Sequence, residues 1–167
     1  MILENFESWW KTFTSQLGIQ QKKTVKWRRR SHLQVGTDLK ALAEVLQWFE
    51  QFNLPCFPAN LWWQCQTALA EGFTNAVRHA HSDLPESTPI DIDVEICDRY
   101  LEIKIWDRGK PFDLEAKLAS ISQEEFDPLE RENGRGLIFI RKLTDEVCYT
   151  RTPDQRNCLL MRKNFRL

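Results

Sequence analysis

Three short stretches hold the residues whose types and spacing can do chemistry. The first is Glu71-Gly72-Phe73-Thr74-Asn75-Ala76-Val77-Arg78-His79. On a helix, Glu71, Asn75 and His79 recur every fourth residue and stack on one flank. The apolar stripe beside them runs through Ala68, Leu69, Gly72, Phe73, Ala76, Val77 and Ala80, so the flank edges a cavity instead of facing open solvent. A carboxamide oxygen is a neutral hard ligand suited to Mg²⁺, which is otherwise held by phosphates and water. A carboxylate one turn away can accept the proton of an attacking hydroxyl. Read alone, the stretch is equally an ordinary helix with polar surface residues.

The second stretch is Ile105-Trp106-Asp107-Arg108-Gly109-Lys110-Pro111-Phe112-Asp113. Asp107 has the parity of Ile103 and Ile105, so its carboxylate points to the core side at the end of a strand. A buried carboxylate needs a donor, and an exocyclic amine such as adenine N6 is a suitable one. Gly109 would let the backbone pass close to the base. A strand-to-loop turn capped by an Asp is the plainer alternative. The third stretch, Asn133-Gly134-Arg135-Gly136-Leu137, lies just before a helical pattern. Free N–H groups at a glycine-flanked helix start make an anion site, and Arg135 can add a charged contact to phosphate. A flexible hinge is the commoner reason for such a pair of glycines. No Gly-x-x-x-x-Gly-Lys-Ser/Thr run is present, which excludes a P-loop.

These stretches need elements to position them. Residues 1–20 read as an amphipathic helix with Phe6, Trp9, Trp10, Phe13 and Leu17 at helical spacing. Residues 1–22 therefore stand as an N-terminal extension before a domain over 23–167. A basic run from Lys22 to Arg30 follows. Val25, Trp27, Leu33 and Val35 share one parity, which predicts a first strand with one largely apolar and one basic face; a surface for a charged partner is the alternative. Thr37 or Asp38 caps a helix to about Phe52, and a long helix covers about 59–80. Ile90, Ile92, Val94 and Ile96 alternate with acids, as do Leu101, Ile103 and Ile105 with Glu102 and Lys104, which predicts an antiparallel hairpin. Residues 112–133 form an acidic, weakly patterned loop with a short helix. A helix after Gly136 and strands at about 146–151 and 157–163 close the chain. This order gives an α+β fold: a two-layer sandwich of a mostly antiparallel sheet with helices on one face.

With 167 residues, the chain fits one domain. Its net charge of −1 supplies no global field for nucleic acid or anionic membrane, so neither is expected as a partner. Five cysteines, an odd number without a Cys-x-x-Cys pair, read as reduced, buried thiols of a cytoplasmic protein. The acidic start (Glu4, Glu7) is unlike a signal peptide, and no run of about 18 apolar residues spans a membrane.

Together, the three stretches resemble the sequence boxes of the GHKL (histidine-kinase-like) ATPase superfamily. Glu71-x-x-x-Asn75-Ala76-x-x-His79 is similar to the N box. Asp107-x-Gly109-x-Pro111-Phe112-Asp113 is similar to the G1 box in the form favoured by anti-sigma factor serine/threonine kinases, and Gly134-x-Gly136-Leu137 is similar to the G2 box. The resemblance covers about residues 24–163. It implies ATP and Mg²⁺ as cofactors, with Asn75 on the metal and Glu71 as general base. Asp107 would bind adenine N6, with Gly109 and Pro111 at the base. Phe112 to Asn133 would be the ATP lid, and Gly134, Arg135, Gly136 and Leu137 would meet the phosphates; Arg78 and His79 stand near the site. The seventy residues before Glu71 already hold the predicted first strand and helix and are too few for a histidine-kinase phosphoacceptor domain as well. The branch implied is the anti-sigma factor kinase. Such a kinase phosphorylates a Ser or Thr on a STAS-type antagonist and sequesters a sigma factor, as a homodimer in the cytoplasm. An ATP-gated binding module with little or no phosphotransfer is the alternative.

Overall fold

Alternating hydrophobicity builds the sheet. In the computed structural model, which describes residues 27–123 and 135–166, the strands are β1 (Arg28–Val35), β2 (Ile90–Cys97), β3 (Tyr100–Asp107), β4 (Glu146–Arg151) and β5 (Asn157–Asn164). They pair antiparallel in the order β1-β2-β3-β5-β4. The helices are α1 (Leu42–Phe49), α2 (Ala59–Asn75), α3 (Leu114–Gln123) and α4 (Arg135–Leu143). The extension over 1–22, the start of the basic run, Gly134 and residues 124–133 of the expected lid lie outside the described residues.

One face of the sheet is apolar, and the helices cover it. Ile92, Val94, Ile103, Ile105 and Met161 share a single core with Phe49, Trp62, Leu69 and Phe73. Gly72 explains how low α2 lies over the sheet. A Cβ there would meet Ile105 Cδ1 at 2.7 Å and Met161 Cε at 3.0 Å, so a larger residue would force those two buried side chains to repack.

The opposite face is a lattice of cross-strand charges. Arg28 and Arg30 of β1 both bridge Glu95 of β2, and His32 Nδ1 lies 2.9 Å from Asp93 Oδ1. Two of the three described arginines of the basic run are thus matched by an acid one strand away, the opposite-charge pairing that stabilises a sheet, while Arg29 donates to Gln51 O at 2.7 Å. Farther across, Arg162 reaches both Glu102 and Glu146. Burial alone would raise the Glu102 carboxyl, but Lys104 and Arg162 outweigh it and hold it below its ordinary value.

Local expectations met the structure in instructive ways. Asp38 is the cap: its Oδ1 accepts the Lys40 N–H at 2.9 Å, while the Thr37 hydroxyl is committed elsewhere. The long helix does run to Ala80, but Ala76–Ala80 form a π-helical turn, which periodicity of 3.6 does not anticipate. The thiols of Cys65, Cys97 and Cys158 are buried as expected; Cys148 is half-buried and Cys56 is exposed. That exposure corrects the reading of all five as core residues, because the Pro55–Pro58 turn keeps Cys56 at the surface.

Candidate active site

The last two turns of α2 cross above the ends of β3 and β5, and between them lies a cavity of about 440 Å³. Ligand pockets commonly fall between about 300 and 1,000 Å³. Ala76, Ala80, Ile105, Leu137 and Leu159 give it apolar walls, and Asn75, His79 and Asp107 bring polar groups to it. Lys110, Pro111, Phe112 and Lys117 line it from the segment after β3. Asp113 holds that segment in place by capping α3, its Oδ1 accepting the Ala116 N–H at 2.9 Å.

Asp107 is buried at the last position of β3, as its parity requires. Its charge is met from within the protein. Oδ1 accepts the Gly109 N–H at 2.8 Å and Asn157 Nδ2–H at 2.7 Å. Both bonds fall on one oxygen, so the carboxylate is held while Oδ2 keeps its acceptor capacity for a further donor. Asn157, fully buried, also donates to Gly109 O at 2.9 Å. Register explains the contact: Asp107 pairs with Asn157 and Asn157 with Arg151, so three strands end in one polar row.

Gly109 has a different reason from the one expected. A Cβ at this position would sit 2.2 Å from Ala80 O and within 2.8 Å of Ala80 C and Cα. The glycine is required by the backbone of the helix end, and the turn after β3 is thereby pressed against the π-helical turn that continues α2.

At the other end of the cavity, α4 approaches the polar flank of α2. A Cβ on Gly136 would lie 2.7 Å from Glu71 Oε2 and 3.1 Å from both polar atoms of the Asn75 carboxamide. Sequence neighbours of two separate stretches therefore meet with no side chain between them. Asn75 Nδ2 is buried and has no hydrogen-bond partner among the described residues. Leu137 lines the cavity. Glu71 itself is half-buried and stands beside the cavity, not among its lining residues. Arg135 opens α4, its side chain lying outside the described ones. Arg78 is exposed and does not line the cavity, whereas exposed His79 does.

Sequence reasoning missed Asn157, Tyr149, Lys117 and His81. Tyr149 of β4 lines the cavity and packs at a tilt against Phe112, with ring centroids 4.3 Å apart. Its hydroxyl is buried without a partner among the described residues. Burial first, then Asp107, pushes that hydroxyl above its ordinary value of 10.0, so it stays protonated as a donor. Only knowledge of strand order could have placed Tyr149 and Asn157 beside Asp107.

A family model for the histidine kinase-like ATPase domain matches residues 35–163. The chain belongs to the histidine kinase-like ATPase family. Among curated proteins it is similar to serine-protein kinase RsbW of Oceanobacillus iheyensis, 42% identical over 49% of this chain and 53% of that protein. RsbW of Staphylococcus aureus is 36% identical over 52% and 56%, and that of Staphylococcus epidermidis 40% over 48% and 52%. The chain thus spans about half the length of the curated relatives it matches.

The residues present fit the nucleotide of a histidine kinase-like ATPase. The apolar walls suit a flat base, and Asp107 Oδ2 suits its amine. The orphaned Asn75 Nδ2–H is a buried donor that an acceptor such as a phosphate oxygen would satisfy. The neutral carboxamide oxygen of Asn75 is a hard ligand that suits Mg²⁺ where phosphates and water supply the rest.

Proposed function

We propose that this chain is an ATP-dependent serine/threonine-protein kinase that phosphorylates a Ser or Thr on a STAS-type anti-sigma factor antagonist and sequesters a sigma factor. One observation carries the reading. Asn75 and Asp107, from separate sequence stretches, line one cavity, and Gly136 brings α4 against the Glu71–Asn75 pair at its end. Similarity to the RsbW serine-protein kinases supports the choice of a protein hydroxyl as acceptor.

Asp107, held by Gly109 and Asn157, accepts the base amine, and the apolar walls pack on the faces of the base. Lys110 and Lys117 line the cavity and offer charge to the phosphates, with Gly134, Arg135 and the N–H groups opening α4 as further contacts. Asn75 would hold Mg²⁺ through its carboxamide oxygen. When bound, the metal neutralises charge on the phosphates as the bond to the transferred group breaks. Glu71 takes the proton of the incoming seryl or threonyl hydroxyl, a contribution of about 10²–10⁴ in rate. His79, at the cavity rim, orients a neighbour on the same flank. A homodimer in the cytoplasm accompanies this reading through the same resemblance.

The test is incubation with Mg-ATP and a partner captured by the full chain, followed by mass spectrometry of the partner. A phosphorylated Ser or Thr with wild type, reduced at least about 100-fold by Glu71→Ala while nucleotide affinity stays within about threefold, supports the kinase. A tight ATP-dependent complex without phosphate, in wild type and variant alike, favours a nucleotide-gated binding module.

A further inference from the structure

His81 is buried, 1% exposed, and no part of the reading above uses it. It follows the π-helical turn, its N–H donating to Ala76 O at 2.9 Å. Its ring joins three segments. Nε2 accepts the Arg108 N–H at 2.8 Å. An amide N–H can only donate, so Nε2 bears the lone pair and the ring proton sits on Nδ1. Nδ1–H then donates to Thr37 Oγ1 at 2.7 Å, and the Thr37 hydroxyl passes its own proton to Thr88 O at 2.7 Å. Each proton in the chain has one acceptor. A second ring proton would set N–H against N–H at Arg108.

Arg108 lies between Asp107, which recognises the base, and Gly109, which donates to it. Gly109 is pressed on the carbonyl of Ala80, the residue before His81. One short segment therefore grips the recognition turn twice, by contact at Gly109 and by hydrogen bond at Arg108. We propose that His81 is a positioning residue for nucleotide binding, fixing the Asp107–Gly109 turn through the Arg108 amide, so that affinity falls when its ring becomes cationic. The proposal rests on the nucleotide reading above.

The charged groups facing the ring are Asp107 and Arg108, both from the end of β3; Thr37 and Thr88 carry no charge. Burial disfavours the cation, Asp107 favours it and Arg108 disfavours it, leaving the ring below its ordinary value of 6.5. The neutral, Arg108-accepting form therefore prevails at neutral pH, and acidification below that range removes it.

Calorimetric titration of Mg-ADP into the full chain between pH 7.5 and 5.5 tests this, with His81→Gln and His81→Phe. The glutamine oxygen replaces Nε2 as acceptor and does not titrate; phenylalanine fills the space without accepting. Wild-type affinity is expected to fall several-fold on acidification. His81→Gln should bind within about threefold of wild type at pH 7.5 and lack that part of the fall; its profile also subtracts the titration of the nucleotide. His81→Phe strands a buried N–H and should bind about tenfold or more weakly at pH 7.5. Should the phenylalanine variant not fold, the glutamine profile decides, together with ring ¹⁵N shifts of the free protein, which report the Nδ1–H tautomer. A glutamine variant with the wild-type pH profile, or a folded phenylalanine variant with wild-type affinity, overturns the role of His81. Wild type that takes up no adenine nucleotide at any pH overturns the parent reading, and this proposal with it.

Discussion

Replacing Asn157 by Ala would strip Asp107 of its side-chain donor inside the core. Asn157 Nδ2 donates to Asp107 Oδ1 at 2.7 Å and to Gly109 O at 2.9 Å. A hydrogen bond to a charged group is worth about 1.5–3 kcal/mol and a neutral one about 0.5–1.5 kcal/mol. Loss of both costs about 2–4.5 kcal/mol on the same scale. The third bond, from Arg151 at 3.0 Å, adds little, because exposed Arg151 can turn to water. A chain of this size loses about 2–4 °C in Tm per kcal/mol, so a fall of roughly 10 °C is expected. Urea unfolding followed by tryptophan fluorescence should show a lower midpoint with an unchanged slope. Mg-ADP affinity should drop about tenfold or more, since Asp107 is no longer held with Oδ2 free. Asn157→Asp adds an independent sign. Two carboxylates 2.7 Å apart, the present Nδ2–Oδ1 separation, cannot both ionise, so one pKa rises in the fold. The folded variant then binds more protons than the unfolded chain, and its stability falls as pH rises through neutrality. An alanine variant within about 0.5 kcal/mol of wild type, the range of an ordinary surface change, would refute the claim that Asn157 holds Asp107.

Three further outcomes follow from the packing. Gly136→Ala meets the far end of Glu71 and the Asn75 carboxamide, groups that can swing aside. Stability should change by less than about 1 kcal/mol, while phosphotransfer measured by ³²P incorporation falls by about 10² or more. Gly109→Ala meets only the backbone of Ala80, so thermal denaturation should show overpacking of about 1–3 kcal/mol or more. Acid unfolding should come in two stages. His81, held below 6.5 in the fold, is protonated first in the unfolded chain. Its stabilisation is therefore full above about pH 6.5 and drains as pH falls towards the lowered folded value. Glu102, held below 4.5 by Lys104 and Arg162 against the effect of burial, adds a second loss beginning only near pH 4.5. A stability–pH curve flat between pH 6.5 and 5 would contradict the first stage.

The parts of the fold legible in sequence were those governed by period. Alternation in 90–96 and 101–105 located β2 and β3, and the parity of Asp107 correctly turned its carboxylate inward. The Glu71–Asn75 spacing survived because both lie in regular α-helix. What escaped were contacts made by strand order. Asn157 opens β5 fifty positions after Asp107, and no local pattern pairs them. The extra residue in the last turn of α2 escaped because no side chain there signals a π-turn. Gly109 was read as a clearance for a ligand; its constraint comes from the Ala80 backbone, a tertiary contact that a linear reading cannot contain.

The wide turn at Ala76–Ala80 carries a consequence for insertions and deletions. His81 N–H closes on the carbonyl five residues back, one more than an α-helix spends. Deleting one surface position there, Arg78 for example, would let that N–H close on the Ala76 carbonyl four residues back, as ordinary winding requires, with Glu71, Asn75 and the imidazole near their present places. A further residue that regular winding had to carry would instead rotate the downstream chain by about 100° and take the imidazole off the Arg108 amide. The phosphate half of the pocket and its purine half are thus joined by a turn that already absorbs one residue more than an α-helix needs.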